Sequence, residues 1–319
     1  MPSYRFTAIV DKLPSTVPFV GPETQDRNRG RPFRARIGAN ESVFGPSPKA
    51  IAAMERAAAE AWKYCDPENH DLKQALAAHH GVAPENIVVG EGIDGLFGYA
   101  VRLFVEPGVA VATSLGAYPT FNFHVHGYGG RLVTTPYVDD REDPQSLLDL
   151  AKRENARLIF FANPDNPMGS WWDAAAVQGL IGRIPEGTLL CLDEAYCEFA
   201  PSGTTPPIDV ADPRVLRFRT FSKVHGLAGA RVGYAIGAAG LIKSFDRSAT
   251  TSASTGSPRP ARLPPSRTTR IWPMCCDVFL APAIASPRSR APTDSRRCLP
   301  PPISSPSTAG ATAPSRDAC

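Results

Sequence analysis

The chain has 319 residues, 43% of them hydrophobic and 20% charged, with a formal net charge of +3. That is the composition of a soluble globular protein with room for one large domain or two. The small charge argues neither way on nucleic acid. No run of about 18 apolar residues could span a membrane. The N-terminal "MPSYRFTAIVDKLP" lacks the cationic flank and apolar stretch of a signal peptide. Seven cysteines without a CxxC pair read as reduced thiols of a cytoplasmic protein.

Residues 1–45 read as an irregular arm, ending in "ANESVFGPSP". From Pro48, "KAIAAMERAAAEAW" predicts a helix starting at Ser47, and "DLKQALAAHHG" predicts a second, closed by Gly81. "NIVVGEG" is a short buried strand, and "IDGLFGYAVRLFVEPG" a helix stopped at Pro107 and Gly108. The alternation then repeats: strand "VAVATS", helix-like "YPTFNFHVHGYG", strand "RLVTTPYV", helix "DPQSLLDLAKRE", strand "ARLIFFANP", helix "DAAAVQGLIGRI". Three strands follow in "TLLCLDEAY", "VLRFRTFS" and "RVGYAIG". Short apolar strands alternating with helices predict an α/β fold, with a mostly parallel sheet covered by helices on both faces. Such folds bind ligands at the carboxyl ends of the strands. The notable polar residues fall there, in Gly92–Asp94, Asn163–Asn166, Asp193–Tyr196 and Ser222–Lys223.

Four motifs fit one chemical task, holding a phosphorylated pyridine aldehyde as an electron sink. In "RTFSKVHGLAGARVGY", Lys223 is flanked by Phe221, Val224, Leu227 and Ala228. A lysine in apolar company has a lowered pKa and can form a Schiff base with a carbonyl. In "LLCLDEAY", Asp193 ends a buried strand, where it can pair with a protonated ring nitrogen, and Tyr196 can donate to the ring oxygen. The turn "NPDNPMG" projects Asn166, a second donor to that oxygen. In "GEGIDG", Gly90 and Gly92 lie where a strand gives way to a helix, whose free N–H groups form an anion site. Ser222 and Arg231 can add to that site, and Phe121 of "YPTF" can stack on the ring. Taken singly, each has a plainer reading as a solvated lysine, a helix cap, a turn and a glycine loop. Their order and spacing together are what is specific.

Those motifs, with "ANESVFGPSP" and "YCDPENHDLKQALA", resemble the class I/II, fold-type-I pyridoxal-phosphate aminotransferases over roughly residues 40–245. Within them the chain is similar to the histidinol-phosphate aminotransferase-like branch. The resemblance implies pyridoxal 5'-phosphate as cofactor, and transamination between an amino acid, or an amino-alcohol phosphate such as histidinol phosphate, and a 2-oxo acid. It implies that Lys223 forms the Schiff base and then shuttles a proton. It places Asp193 on the ring nitrogen, Asn166 and Tyr196 on the ring oxygen, and Phe121 under the ring. It places Gly92, Ile93, Asp94, Ser222 and Arg231 around the phosphate. Tyr64 matches a tyrosine that reaches the neighbouring subunit's phosphate, which implies a homodimer with shared sites. Partners beyond these are not expected, neither nucleic acid nor membrane. Met168 departs from the usual threonine, and Phe121 stands where this branch often has tyrosine.

The domains expected are therefore an arm over 1–45, a cofactor-binding large domain over 46–245 and a low-complexity tail over 246–319. From Ser248 to Cys319 there is no Lys or Glu, and no hydrophobic period persists. The family continues with a small domain that supplies an arginine for the substrate carboxylate, and nothing in 248–319 matches it. A slipped reading frame accounts for this. Ser248–Gly256, written TCC GCA ACC ACT TCG GCA TCA ACC GG, reads from its third base as Arg-Asn-His-Phe-Gly-Ile-Asn-Arg. Thr268–Cys276 and Pro300–Gly310 yield family-like segments in the same frame. A naturally disordered tail is the alternative. Two other activities stay open, a decarboxylase of the threonine-phosphate type and an inactive truncated product. The pairs His79–His80 and His124/His126 suggest metal ligands, but no third ligand is placed, so no metal is expected.

Overall fold

A computed structural model describes residues 4–14, 20–36, 38–64 and 66–248. The first two helices are α1 (Pro22–Arg29) and α2 (Pro48–Ala58). The arm was expected to be irregular, yet it carries α1. Pro22 opens that helix, Gly30 closes it in the left-handed region, and none of its residues is buried. α2 begins where expected, with the Ser47 hydroxyl accepting the Ala50 N–H at 3.2 Å. α3 (His70–His80) ends at Gly81 with φ of 67°.

The alternating segments form β1 (Ile87–Gly90), α4 (Gly92–Phe104), β2 (Ala110–Ser114), α5 (Pro119–Gly127), β3 (Arg131–Thr135) and α6 (Pro144–Glu154). They continue as β4 (Leu158–Ala162), α7 (Ala174–Gly182), β5 (Leu189–Asp193), β6 (Val215–Thr220), β7 (Gly233–Ile236) and a short α8 (Ala239–Ser244). The sheet order is β1-β7-β6-β5-β4-β2-β3. β7 pairs antiparallel with both β1 and β6, and the other pairs are parallel. The sheet is thus mostly parallel, with β7 reversed.

Strand alternation divides the core between the two faces. Phe160, Cys191 and Phe218 face α4 and α5, packing with Leu96, Phe97 and Phe121. Ile159, Phe161, Leu190 and Leu192 face α6 and α7, packing with Leu147, Val177 and Leu180. A third cluster joins α3 to β1 and β7 through Leu72, Leu76, Val89 and Ile236. Asp193 has the parity of Cys191, so it points to the α4 and α5 side. Glu194 points the other way. There Arg217 Nη2 meets its Oε1 at 2.5 Å and Arg219 Nε its Oε2 at 2.9 Å, which fixes β5 to β6. Burial alone would raise the Glu194 carboxyl, but the two guanidiniums outweigh it and hold it low. The expectations for the tail fall outside the described residues from 249 onward.

Candidate active site

Strands β1 to β6 end on one edge of the sheet, and the candidate residues meet there. One cavity is lined by Ile93, Asp94, Tyr118, Asn166, Asp193, Ala195, Tyr196, Thr220, Ser222, Lys223 and Arg231. Gly92 lies one residue behind it, at the start of α4.

Lys223 follows β6 in a tight turn closed by the Gly226 N–H on the Lys223 carbonyl at 3.0 Å. Phe221 and Leu227 anchor that turn in the core. Gly226 has φ of 68°, and a Cβ there would sit 2.3 Å from the Gly45 carbonyl carbon. This close approach explains the small residues after the lysine. Lys223 Nζ donates to the Ala39 carbonyl at 3.3 Å and lies 5.3 Å from the centroid of the Tyr196 ring. The Tyr196 hydroxyl in turn meets Asn40 Nδ2 at 3.1 Å. The end of the arm, Ala39 and Asn40, therefore belongs to the site. They open "ANESVFGPSP", which forms part of the family resemblance but carries no implied site role.

Asp193 is 6% exposed, and its Oδ1 accepts the Ala195 N–H at 2.9 Å. Burial pushes its carboxyl up to about 7, with the Ala195 N–H and the Lys223 charge pulling the other way. A cation facing it inside the cavity would restore its charge. Asn166 is presented by a turn whose other polar residues are tied back. Asn163 accepts the Trp172 N–H at 2.8 Å and donates to the Trp172 carbonyl at 3.1 Å. Asp165 accepts from the Tyr137 hydroxyl at 3.1 Å and from the Met168 N–H at 3.2 Å.

At the other end, the first-turn N–H groups of α4 have no intrahelical partners. Arg231 brings its guanidinium beside them, with Nη1 3.5 Å from Ser222 Oγ. A Cβ on Gly92, whose φ is 86°, would lie 2.5 Å from Arg231 Nη2, so the absent side chain is what admits the arginine. Gly233 is equally constrained, since a Cβ there would meet the Ile93 nitrogen at 2.6 Å. Asp94 brings an opposing negative charge to this end. His124 Nε2, on α5, lies 3.2 Å from its Oδ1, and this hydrogen bond holds the carboxyl below its ordinary value.

Two expected residues lie elsewhere. Phe121 does not line the cavity. It is fully buried in the core, stacked on Phe160 with ring centroids 4.6 Å apart. Tyr118 supplies the aromatic wall instead. It precedes Pro119, so its backbone is held out of the helix, whereas Phe121 falls on the first turn of α5 and faces the sheet. Tyr64 is 94% exposed and off the cavity. Two of the histidines considered as ligands have other partners: His80 meets the Tyr234 hydroxyl at 2.9 Å, and His124 meets Asp94. Among the described residues no group of three or more His, Cys, Asp or Glu is gathered as for a metal.

The sequence pattern of the family described as "Aminotransferase class I and II" matches residues 36–263. The chain belongs to this family. The matched stretch runs past the expected limit at 245 and includes the first residues of the tail. The histidinol-phosphate aminotransferase of Anaeromyxobacter sp. (strain Fw109-5) is 36% identical over 242 residues, 75% of this chain and 66% of its own. The aromatic amino acid aminotransferase of Mycolicibacterium paratuberculosis is 37% identical over 221 residues, 68% of this chain and 62% of its own. The chain thus spans less than two thirds of the length of these relatives. The crystal structure of histidinol-phosphate aminotransferase from Sinorhizobium meliloti in complex with pyridoxal-5'-phosphate superposes with a TM-score of 0.79 at 52% identity. That match covers 88% of this chain and 72% of the crystallised one. No helix among the described residues is long and apolar enough to cross a membrane.

Proposed function

We propose that the chain is a pyridoxal-phosphate-dependent transaminase. It moves an amino group from an amino acid, or an amino-alcohol phosphate of the histidinol-phosphate kind, to a 2-oxo acid. We place it in the cytoplasm, as a homodimer in which Tyr64 serves the partner's site. The observation that carries this reading is the meeting of Lys223 and Asp193 in one cavity with an anion cup at its far end.

The residues present fit the cofactor. The space that a Cβ on Gly92 would fill holds the Arg231 guanidinium, and burial raises the Asp193 carboxyl, which a cationic ring nitrogen would suit. When bound, the cofactor supplies an aldehyde for an amine, and a pyridinium that draws electrons from the carbon beside that amine. Lys223 provides the resting amine and moves the proton at the donor's α-carbon. Asp193 would hold the ring nitrogen and favour its charged form. Asn166 and Tyr196 would hold the ring oxygen as donors, and Tyr118 would supply an aromatic wall for the ring. The Ile93 and Asp94 N–H groups, Ser222 and Arg231 would hold the phosphate, while His124 keeps the Asp94 side chain hydrogen-bonded there. The names of the sequence relatives favour transamination over decarboxylation.

The test is amino transfer by the full chain with cofactor, a 2-oxo acid, and histidinol phosphate or phenylalanine as donor. Transfer without carbon dioxide release is expected, falling by about 10³-fold or more in Lys223→Ala. Carbon dioxide release would point to the decarboxylase instead. Cofactor retention without either reaction would point to a binding-only product.

A further inference from the structure

The turn carrying Asn166 is held from behind by residues outside the cavity. Glu142 lies between β3 and α6, in "DDREDPQS", where the sequence reads as a run of surface charge. It is instead 1% exposed. Its Oε1 accepts the N–H of Ala162, the last residue of β4, at 2.9 Å. Its backbone carbonyl accepts the indole N–H of Trp172 at 2.8 Å. Ala162 and Trp172 bracket the turn, so one residue grips both of its ends. Five positions earlier, Tyr137 donates its hydroxyl to both Asp165 oxygens at 3.1 Å, gripping the middle.

We infer that Glu142 is a positioning residue for Asn166, clamping the turn at its entry and exit, with Tyr137 as a second support at its centre. The consequence for cofactor affinity rests on the reading above; the clamp itself does not. Burial pushes the Glu142 carboxyl up to about 8. The Ala162 N–H and the Ser114 hydroxyl oppose that push, while Asp165 and, from β5, Asp193 add to it. The raised value keeps the carboxyl neutral at neutral pH. A charged Glu142 would stand beside two other buried acids, of which Asp193 is the one that faces the cavity.

Hydrogen exchange of segment 163–172, in the full chain without cofactor, reads the clamp directly. Glu142→Leu is expected to speed exchange there by about tenfold, because the Ala162 N–H loses its partner. Tyr137→Phe should speed it around Met168, and the neutral isostere Glu142→Gln should leave it unchanged. Pyridoxal 5'-phosphate affinity is the second readout. Glu142→Leu should weaken it, and Glu142→Gln should match the parent near neutral pH. Unchanged exchange in Glu142→Leu overturns the inference, as does a Glu142→Gln that behaves like the leucine variant. If Glu142→Leu does not fold, unchanged exchange in Tyr137→Phe overturns it. A parent protein with a protected turn that binds no cofactor would overturn the proposed function and leave the clamp standing.

Discussion

Asp193 ends β5 in the core with its carboxyl raised to about 7, against an ordinary value of 3.8. The folded chain therefore holds that proton after the unfolded chain has released it. Between about pH 4 and pH 7 stability falls as pH rises, and the loss is complete above the folded value. Asp193→Asn removes this burden and can keep the bond from the Ala195 N–H. Without cofactor, the variant is predicted to be more stable than the parent at pH 8 by about 2–4 kcal/mol, with no difference near pH 4. Its cofactor affinity should fall. Urea unfolding at the two pH values checks this, and a parent that is the more stable at pH 8 would contradict it. Lys223, Asp193 and Asn166 drew notice in the sequence because each follows an apolar strand, whereas Arg231 was read from the family-like "SKVHGLAGARVGY"; all four line the cavity. Tyr118 was not legible there, because "YPTF" offers two aromatics and only the geometry at Pro119 decides which faces the cavity. The His124 partnership with Asp94 crosses from α5 to α4, and no local spacing signals it.

At the scale of elements, most strands and helices followed from the period of their apolar residues, with caps such as Ser47 and Gly81 at the expected ends. The reversal of β7 was not visible, since a buried strand reads as the same apolar run in either direction. α1 has no buried face and α8 has six residues, so neither gives a periodic signal. The turn after β6 is the most constrained connection. Gly226 combines a left-handed backbone with a contact that leaves no room for a methyl group. Gly226→Ala is predicted to cost about 2 kcal/mol or more, because either the backbone or the Gly45 segment must move. The urea midpoint should fall and cofactor retention should fall with it, as Lys223 sits in the same turn. A midpoint equal to the parent's would contradict the packing described.

Across the whole molecule, the division between core and site is simple. Two apolar layers hold the sheet, and the polar chemistry gathers along the edge where β1 to β6 end. Val43, Phe44, Trp62 and Tyr64 are 79%, 94%, 79% and 94% exposed. Large apolar side chains this open support the proposed homodimer, in which a second copy would cover them. Lys223 and Asp193 share one cavity, and the occupant proposed for it is a single aldehyde cofactor. Borohydride reduction of the full chain with pyridoxal 5'-phosphate, followed by peptide mass analysis, tests it most directly. A single covalent pyridoxyl group on the peptide containing Lys223, absent in Lys223→Ala and reduced in Asp193→Asn, is the predicted result. Labelling scattered over surface lysines and undiminished in Lys223→Ala would contradict it.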